Sequence, residues 1–214
     1  MARYKKGIQG PFSGKIGSVV GSSWRGVEYM RSHGKPNSQP ATEKQLHQRY
    51  VFAMVTGWLR PLRELIWIGF QVFKGTKTPM NGLVSFILKE AVTGFGKDSR
   101  IVFSKVVFSR GELFISLFKE VLWLSGCILN IKWENGPDSA FNKDNDKATF
   151  IVYNPVKGAF VTFKNITARS ANEVSLKLPK HFKNHTIHCW MHYVSAEGDA
   201  VSTGVYVGEI SVLN

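Results

Sequence analysis

The chain has 214 residues, 43% of them apolar and 20% charged, which excludes wholesale disorder and collagen-like repetition and leaves room for a real core. Aromatic residues reach 13%, glycines number 20, and the formal net charge is +13. Two cysteines, Cys127 and Cys189, are too few for a disulfide scaffold or a four-thiolate zinc site, and two buried free thiols are favoured over a single bridge.

The N-terminus is basic but lacks the apolar run of a signal peptide, because Gly10-Pro-Phe-Ser-Gly14 interrupts it. The best candidate for a membrane span, Leu113 to Ile131, carries Lys119, Glu120 and Asn130. These features predict no membrane span and synthesis in the cytoplasm, with any virion or extracellular assembly reached by a route that needs no signal peptide. The charge is uneven: residues 1–78 hold 13 basic against 3 acidic residues, and residues 79–214 hold 15 against 12. A basic first third favours an anionic or acidic partner.

Taken in chain order, residues 1–41 read as a basic, Gly-rich arm or hairpin. Lys15 to Trp24 and Gly26 to Arg31 read as two short strands, with Val27, Tyr29 and Arg31 on one face and Glu28 and Met30 on the other. So many glycines predict an arm ordered mainly by pairing with something else. Gly34 to Pro40 is a turn-rich linker. Residues 42–96 read as helical. Thr42-Glu-Lys-Gln45 fits a capping box, Leu46, Tyr50, Ala53, Met54 and Trp58 form a stripe at helical spacing, and Pro61 should break that helix before a short second one. Thr78-Pro79 predicts the start of a third helix, closed by Gly94-Phe-Gly96.

Residues 97–214 switch to β-branched and aromatic runs. Strands are predicted at Ile101-Val-Phe, Val106-Val-Phe, Leu113 to Leu124 and Cys127 to Trp133. Alternating runs follow at Thr149 to Tyr153, Ala159 to Phe163, Val174 to Leu178, Thr186 to Val194 and Gly204 to Val212. Seven to nine short strands with turns about every ten residues imply a sandwich. The predicted fold class is therefore α+β, mainly β: an extended N-terminal arm, a short helical segment, and an immunoglobulin-like antiparallel β-sandwich.

Motifs that carry chemistry are mostly near misses. Gly10 to Ile16 resembles a phosphate loop but has three residues between its glycines and Ile16 in place of the metal-binding hydroxyl. Gly94-Phe-Gly96 lacks the third glycine of a dinucleotide fingerprint, and Gly17-Ser-Val-Val-Gly21 places valine where a nucleophile elbow needs serine. His188 and His192 share a strand face about 13 Å apart, too far to chelate one ion together. Asn142-Lys-Asp144-Asn-Asp146 lacks the glycine and distal glutamate of a calcium loop and reads as a solvated turn. Neither an enzyme, nor a metal site, nor a cofactor is expected.

The arm offers more. Trp24, Arg25, Tyr29 and Arg31 are candidate interface anchors, and Lys5, Lys6, Lys15 and Lys35 candidate anion-binding residues, since aromatics dominate interfaces and lysines meet phosphates or carboxylates. Phe12-Ser-Gly-Lys15, Trp24-Arg-Gly26, Tyr29, Arg31, Thr42 and Gln45, with Val152-Tyr-Asn154, His188 and Val205-Tyr-Val-Gly208, resemble a family of small uncharacterised Bacteroidota proteins defined as a domain of unknown function, over nearly the whole chain. The arm and the helix entry after it are also similar to predicted phage structural proteins. That resemblance implies a non-enzymatic, self-assembling structural subunit, phage-like or filament-like, whose arm adds strands to neighbours in a homo-oligomer or mixed assembly. A basic nucleic-acid-associated protein is the first alternative. A ligand- or carbohydrate-binding sandwich using Trp133, Tyr153 and Trp190 is the second.

Overall fold

The structure, a computed structural model, describes residues 2–3, 12–24, 26–34, 39–73 and 77–212. The chain divides into two compact units, Met1–Ala41 and Thr42–Asn214.

The first unit is a four-stranded antiparallel sheet of β1 (Ala2–Arg3), β2 (Gly14–Ile16), β3 (Val19–Trp24) and β4 (Val27–Ser32), in the order β1-β4-β3-β2. The run from Lys15 to Trp24, predicted as one strand, is a hairpin. Ile16 pairs with Val19 across Gly17-Ser18, and Gly17 has φ 59°. Two-residue hairpin turns need such positive φ values, so the glycine that weakens a strand here ends one. Gly26, at φ 76°, serves the turn that pairs Trp24 with Val27.

The second unit opens with α1 (Glu43–Leu59), α2 (Arg63–Gly69) and α3 (Pro79–Glu90). The capping box is present: the Gln45 amide donates to Thr42 Oγ1 at 3.4 Å and the Thr42 amide to Gln45 Oε1 at 3.2 Å. Pro61 lies in a single 3₁₀ turn between α1 and α2, and Thr78 caps α3 with Pro79 at its first position. The stripe predicted on α1 is displaced. Val51, Val55 and Leu59 are buried, Met54 and Trp58 sit at the border, and Leu46, Tyr50 and Ala53 are exposed. Two apolar rows offset by about 100° compete on this helix, and spacing cannot choose between them. The surface being covered chooses.

That surface belongs to the sandwich. After the short ladder of β5 (Val92–Thr93) and β6 (Arg100–Ile101) come β7 (Leu117–Leu124), β8 (Ile128–Glu134), β9 (Lys147–Asn154), β10 (Ala159–Ala168), β11 (Glu173–Lys177), β12 (Thr186–Val194) and β13 (Val205–Ser211). They form two antiparallel sheets, β11-β8-β7 and β10-β9-β12-β13. Lettered in sequence, these are A-B-E and C′-C-F-G, an immunoglobulin-like arrangement. The runs Ile101-Val-Phe and Val106-Val-Phe add no sandwich strand. Residues 103–105 form a 3₁₀ turn, while Val106 and Phe108 are buried anchors of a connecting segment.

One core lies between the two sheets, with Leu129, Ile131, Phe150, Leu176 and Met191 at its centre. The other face of the four-stranded sheet presents Ile151, Tyr153 and Trp190 to α1, α2 and α3. Trp58 meets Tyr153 edge-on at 5.4 Å and lies 5.3 Å from Phe160. The β9 and β12 runs, predicted as alternating, are thus buried on both faces; β11, at the edge of the other sheet, does alternate. A strand covered on both sides has no need of polar residues at alternate positions.

Cys127 and Cys189 are free and buried, and burial pushes the Cys189 thiol far above its ordinary pKa. Neither thiol should react with a water-soluble disulfide reagent at pH 8 until the protein is unfolded, after which two equivalents should be titrated. Stoichiometric reaction of the native protein would contradict this burial.

Candidate interaction surface

In an antiparallel sheet, directly paired residues point to the same face. The register therefore places Lys15, Val20 and Arg31 in one row, Ser22 and Tyr29 in the next, and Trp24 and Val27 in a third, all on one face. Four of the predicted residues, Lys15, Trp24, Tyr29 and Arg31, come together on that face. Arg25, Lys5, Lys6 and Lys35 lie outside the described residues. Glu28 and Met30 take the opposite face, as predicted from the period of two. On that opposite face Phe12 lies over Gly21, where any Cβ would collide with the Phe12 ring and carbonyl. Close approach explains this glycine.

Gly21 is the one buried residue among residues 12–24, 26–34 and 39–41; Trp24 is 50% exposed, and Lys15, Val27 and Arg31 are exposed. Such a sheet gains backbone hydrogen bonds but little from burial, whereas small sheets usually need one apolar face covered. Covering the open half of Trp24 would remove on the order of 100 Å² of apolar surface from water, worth about 2–3 kcal/mol.

Elsewhere, groups that resemble catalytic or metal-binding residues are tied into the fold. His188 Nδ1 lies 2.8 Å from the Tyr206 hydroxyl and 6.2 Å, ring to ring, from Trp190. His192 is buried with no partner for Nδ1 among the described residues. Gly96 N–H donates to His47 Nδ1 at 3.0 Å, so the Gly94-Phe-Gly96 loop closes onto α1. No group of three or more His, Cys, Asp or Glu side chains able to hold a metal occurs among the described residues. Trp133, Tyr153 and Trp190, the aromatics of the carbohydrate alternative, are buried in the two cores because each side chain fills a sheet face.

The Asn142–Asp146 turn is not solvated throughout, since Asn142 and Asp146 are buried. Asp146 holds Arg169, 1% exposed, whose Nη2 and Nε donate to Asp146 Oδ2 at 3.0 and 3.2 Å. Arg169 Nη2 also donates to the Phe114 carbonyl at 2.8 Å, and the guanidinium carbon sits 3.7 Å over the Tyr193 ring. The Arg169 carbonyl accepts from Trp133 Nε1 and Asn135 Nδ2, each at 3.0 Å. One residue thus clamps β8, β12, the loop before β9 and the segment before β7. Sequence reading missed this pair, and its only local signal is an acidic residue directly before an apolar strand.

Replacing Arg169 by Met leaves the Asp146 carboxylate buried without its cation and should cost about 3–5 kcal/mol in denaturant unfolding; a change below 1 kcal/mol would contradict the clamp. Burial also lowers the His192 pKa from 6.5 to about 4. The unfolded chain binds a proton that the folded one refuses, so stability should fall as pH drops from about 6.5 to about 4, by up to roughly 3 kcal/mol, with the lowered His188 adding in the same direction. His192→Gln should flatten this part of the stability profile, and an unchanged slope would contradict it.

No curated protein matches the chain. The profile of a family of unknown function, DUF6266, matches residues 11–208, ending in the middle of β13. By that match the chain belongs to the DUF6266 family.

Proposed function

We propose that this chain is a non-enzymatic structural subunit, phage-like or filament-like, that joins its neighbours through the N-terminal sheet in a virion or an extracellular assembly. The observation that carries the reading is the sheet of β1 to β4: residues 12–24 and 26–34 bury Gly21 alone, and Trp24, Val27, Tyr29 and Arg31 share one face on which Trp24, Val27 and Arg31 are exposed. Aromatic and arginine side chains on such a face are the residues that contribute most at protein interfaces. A short outer strand such as β2, with no described strand on its far side, supports addition of a neighbour's strand as the backbone part of the contact. Burial of Arg169, Asp146 and His192 supports a non-enzymatic role, because the most unusual polar groups are inaccessible to substrate.

A second reading, nucleic-acid association, draws on the same face: Lys15 and Arg31 lie in one row beside Trp24 and Tyr29, a pattern that suits phosphates and stacked bases.

Light scattering of the full chain should rise with concentration, and a chain beginning at Thr42 should remain monomeric. Trp24→Ala with Tyr29→Ala should weaken association at least tenfold. A full chain that stays monomeric up to high concentration would overturn the assembly reading. Retention on a heparin column that falls steeply with salt would favour the second reading, and passage through the column at low salt would dismiss it.

A further inference from the structure

The strand register gives the sandwich two unlike ends. Leu117 pairs with Glu134, Ala168 with Lys147 and Val194 with Lys147, so the segments 111–116, 135–146, 169–172 and 195–204 gather at one end. The connections 125–127, 155–158 and 178–185 gather at the other. With Arg169 and Asp146 neutralising each other in the interior, the first end exposes Glu112, Asp138, Asp144, Glu197 and Asp199 against Arg110 and Lys143. The second end exposes Lys157, Lys180 and Lys183 and, among the described residues of its connections, no acidic residue. In a chain of net charge +13, an acidic end is the exception.

The acidic end is also apolar and concave. A cleft of about 300 Å³ opens between Phe114, Leu117, Pro137 and Asn142. Phe114 is 58% and Leu117 71% exposed, and the Phe114 ring lies 5.8 Å from that of Phe141, itself exposed. Asn142, only 5% exposed, lines the cleft, and its side-chain Oδ1 has no hydrogen-bond partner among the described residues.

We propose that this loop end is the acceptor for the N-terminal sheet of a second copy of the chain, joining subunits head to tail. The inference rests on the assembly reading and names the surface that completes it. Residues 1–41 carry 7 basic residues and Glu28 as their one acid, and the face with Trp24, Val27 and Tyr29 is flanked by Lys15 and Arg31. A basic face bearing an exposed tryptophan thus meets an end of the sandwich that carries five exposed acids and, among its loops, a cleft of about 300 Å³ lined in part by Phe114, Leu117 and Pro137. The sign of the charge decides among occupants, since exposed carboxylates repel nucleic acid and anionic lipid. Donor and acceptor are different patches, so the contact is heterologous and propagates into filaments or closes into rings.

Sedimentation of full-length protein at low salt tests the assignment with two variants, each checked for native circular dichroism. One reverses the acceptor (Glu112→Lys, Asp138→Lys, Glu197→Lys) and the other the donor (Lys15→Glu, Arg31→Glu). Wild type should associate, each variant alone should lose at least tenfold in association constant, and an equimolar mixture should recover it, because each reversed patch then finds its opposite. If the acceptor variant does not fold, Glu112→Gln with Asp138→Asn and Glu197→Gln takes its place, with a smaller but still several-fold loss expected. Association of wild type that the acceptor variant leaves unchanged, or a mixture that fails to recover it, would overturn the acceptor while leaving the assembly reading intact. Wild type that remains monomeric would overturn both.

Discussion

Two strands that are apolar on both faces govern the larger unit. Nearly every side chain of β9 and β12 is buried, so the sheet they occupy must be covered twice. One cover is the β11-β8-β7 sheet, and the other is the layer of α1, α2 and α3. This requirement explains why a helical segment precedes an immunoglobulin-like sandwich, and why the row of α1 that turns inward is Val51, Val55 and Leu59. It also explains the sealed chemistry of β12. Cys189, Trp190 and His192 lie between two covers, which raises the thiol pKa and lowers the imidazole pKa.

The N-terminal sheet is the opposite case. It has four strands, yet residues 12–24 and 26–34 bury a single glycine. Its face with Trp24, Val27 and Arg31 leaves these three side chains exposed to solvent, which gives the sheet little stabilisation from burial. The Arg169–Asp146 clamp bears on the same question from the other side. By joining both sheets and two loop segments at one end of the sandwich, it holds Phe114 and the 135–146 loop in place around the cleft. A preorganised cleft loses little conformational entropy when it receives a partner.

Much of this arrangement is legible in short stretches of chain. Thr42 with Gln45, Pro61, and Thr78 with Pro79 each act within four residues, and the helices begin and break where these residues stand. The period of two on β4 likewise places Tyr29 and Arg31 together. The hairpin at Gly17 was open to the same reasoning, because a glycine inside a strand-like run is as good a turn as it is a flaw. The candidate face is therefore mostly visible in the residues themselves.

The acidic loop end of the sandwich is not visible there. Arg169 and Asp146 are 23 positions apart, and nothing near either residue announces the other. The acids at 112, 138, 144, 197 and 199 become neighbours through strand pairing, which brings distant loops to one edge. Caps, prolines and turn glycines set element boundaries through contacts a few bonds away, so local chemistry suffices for them. Which faces are covered, which ions are buried and where charge collects depend on contacts between residues tens to more than a hundred positions apart, and those exist once the sheets have closed on each other.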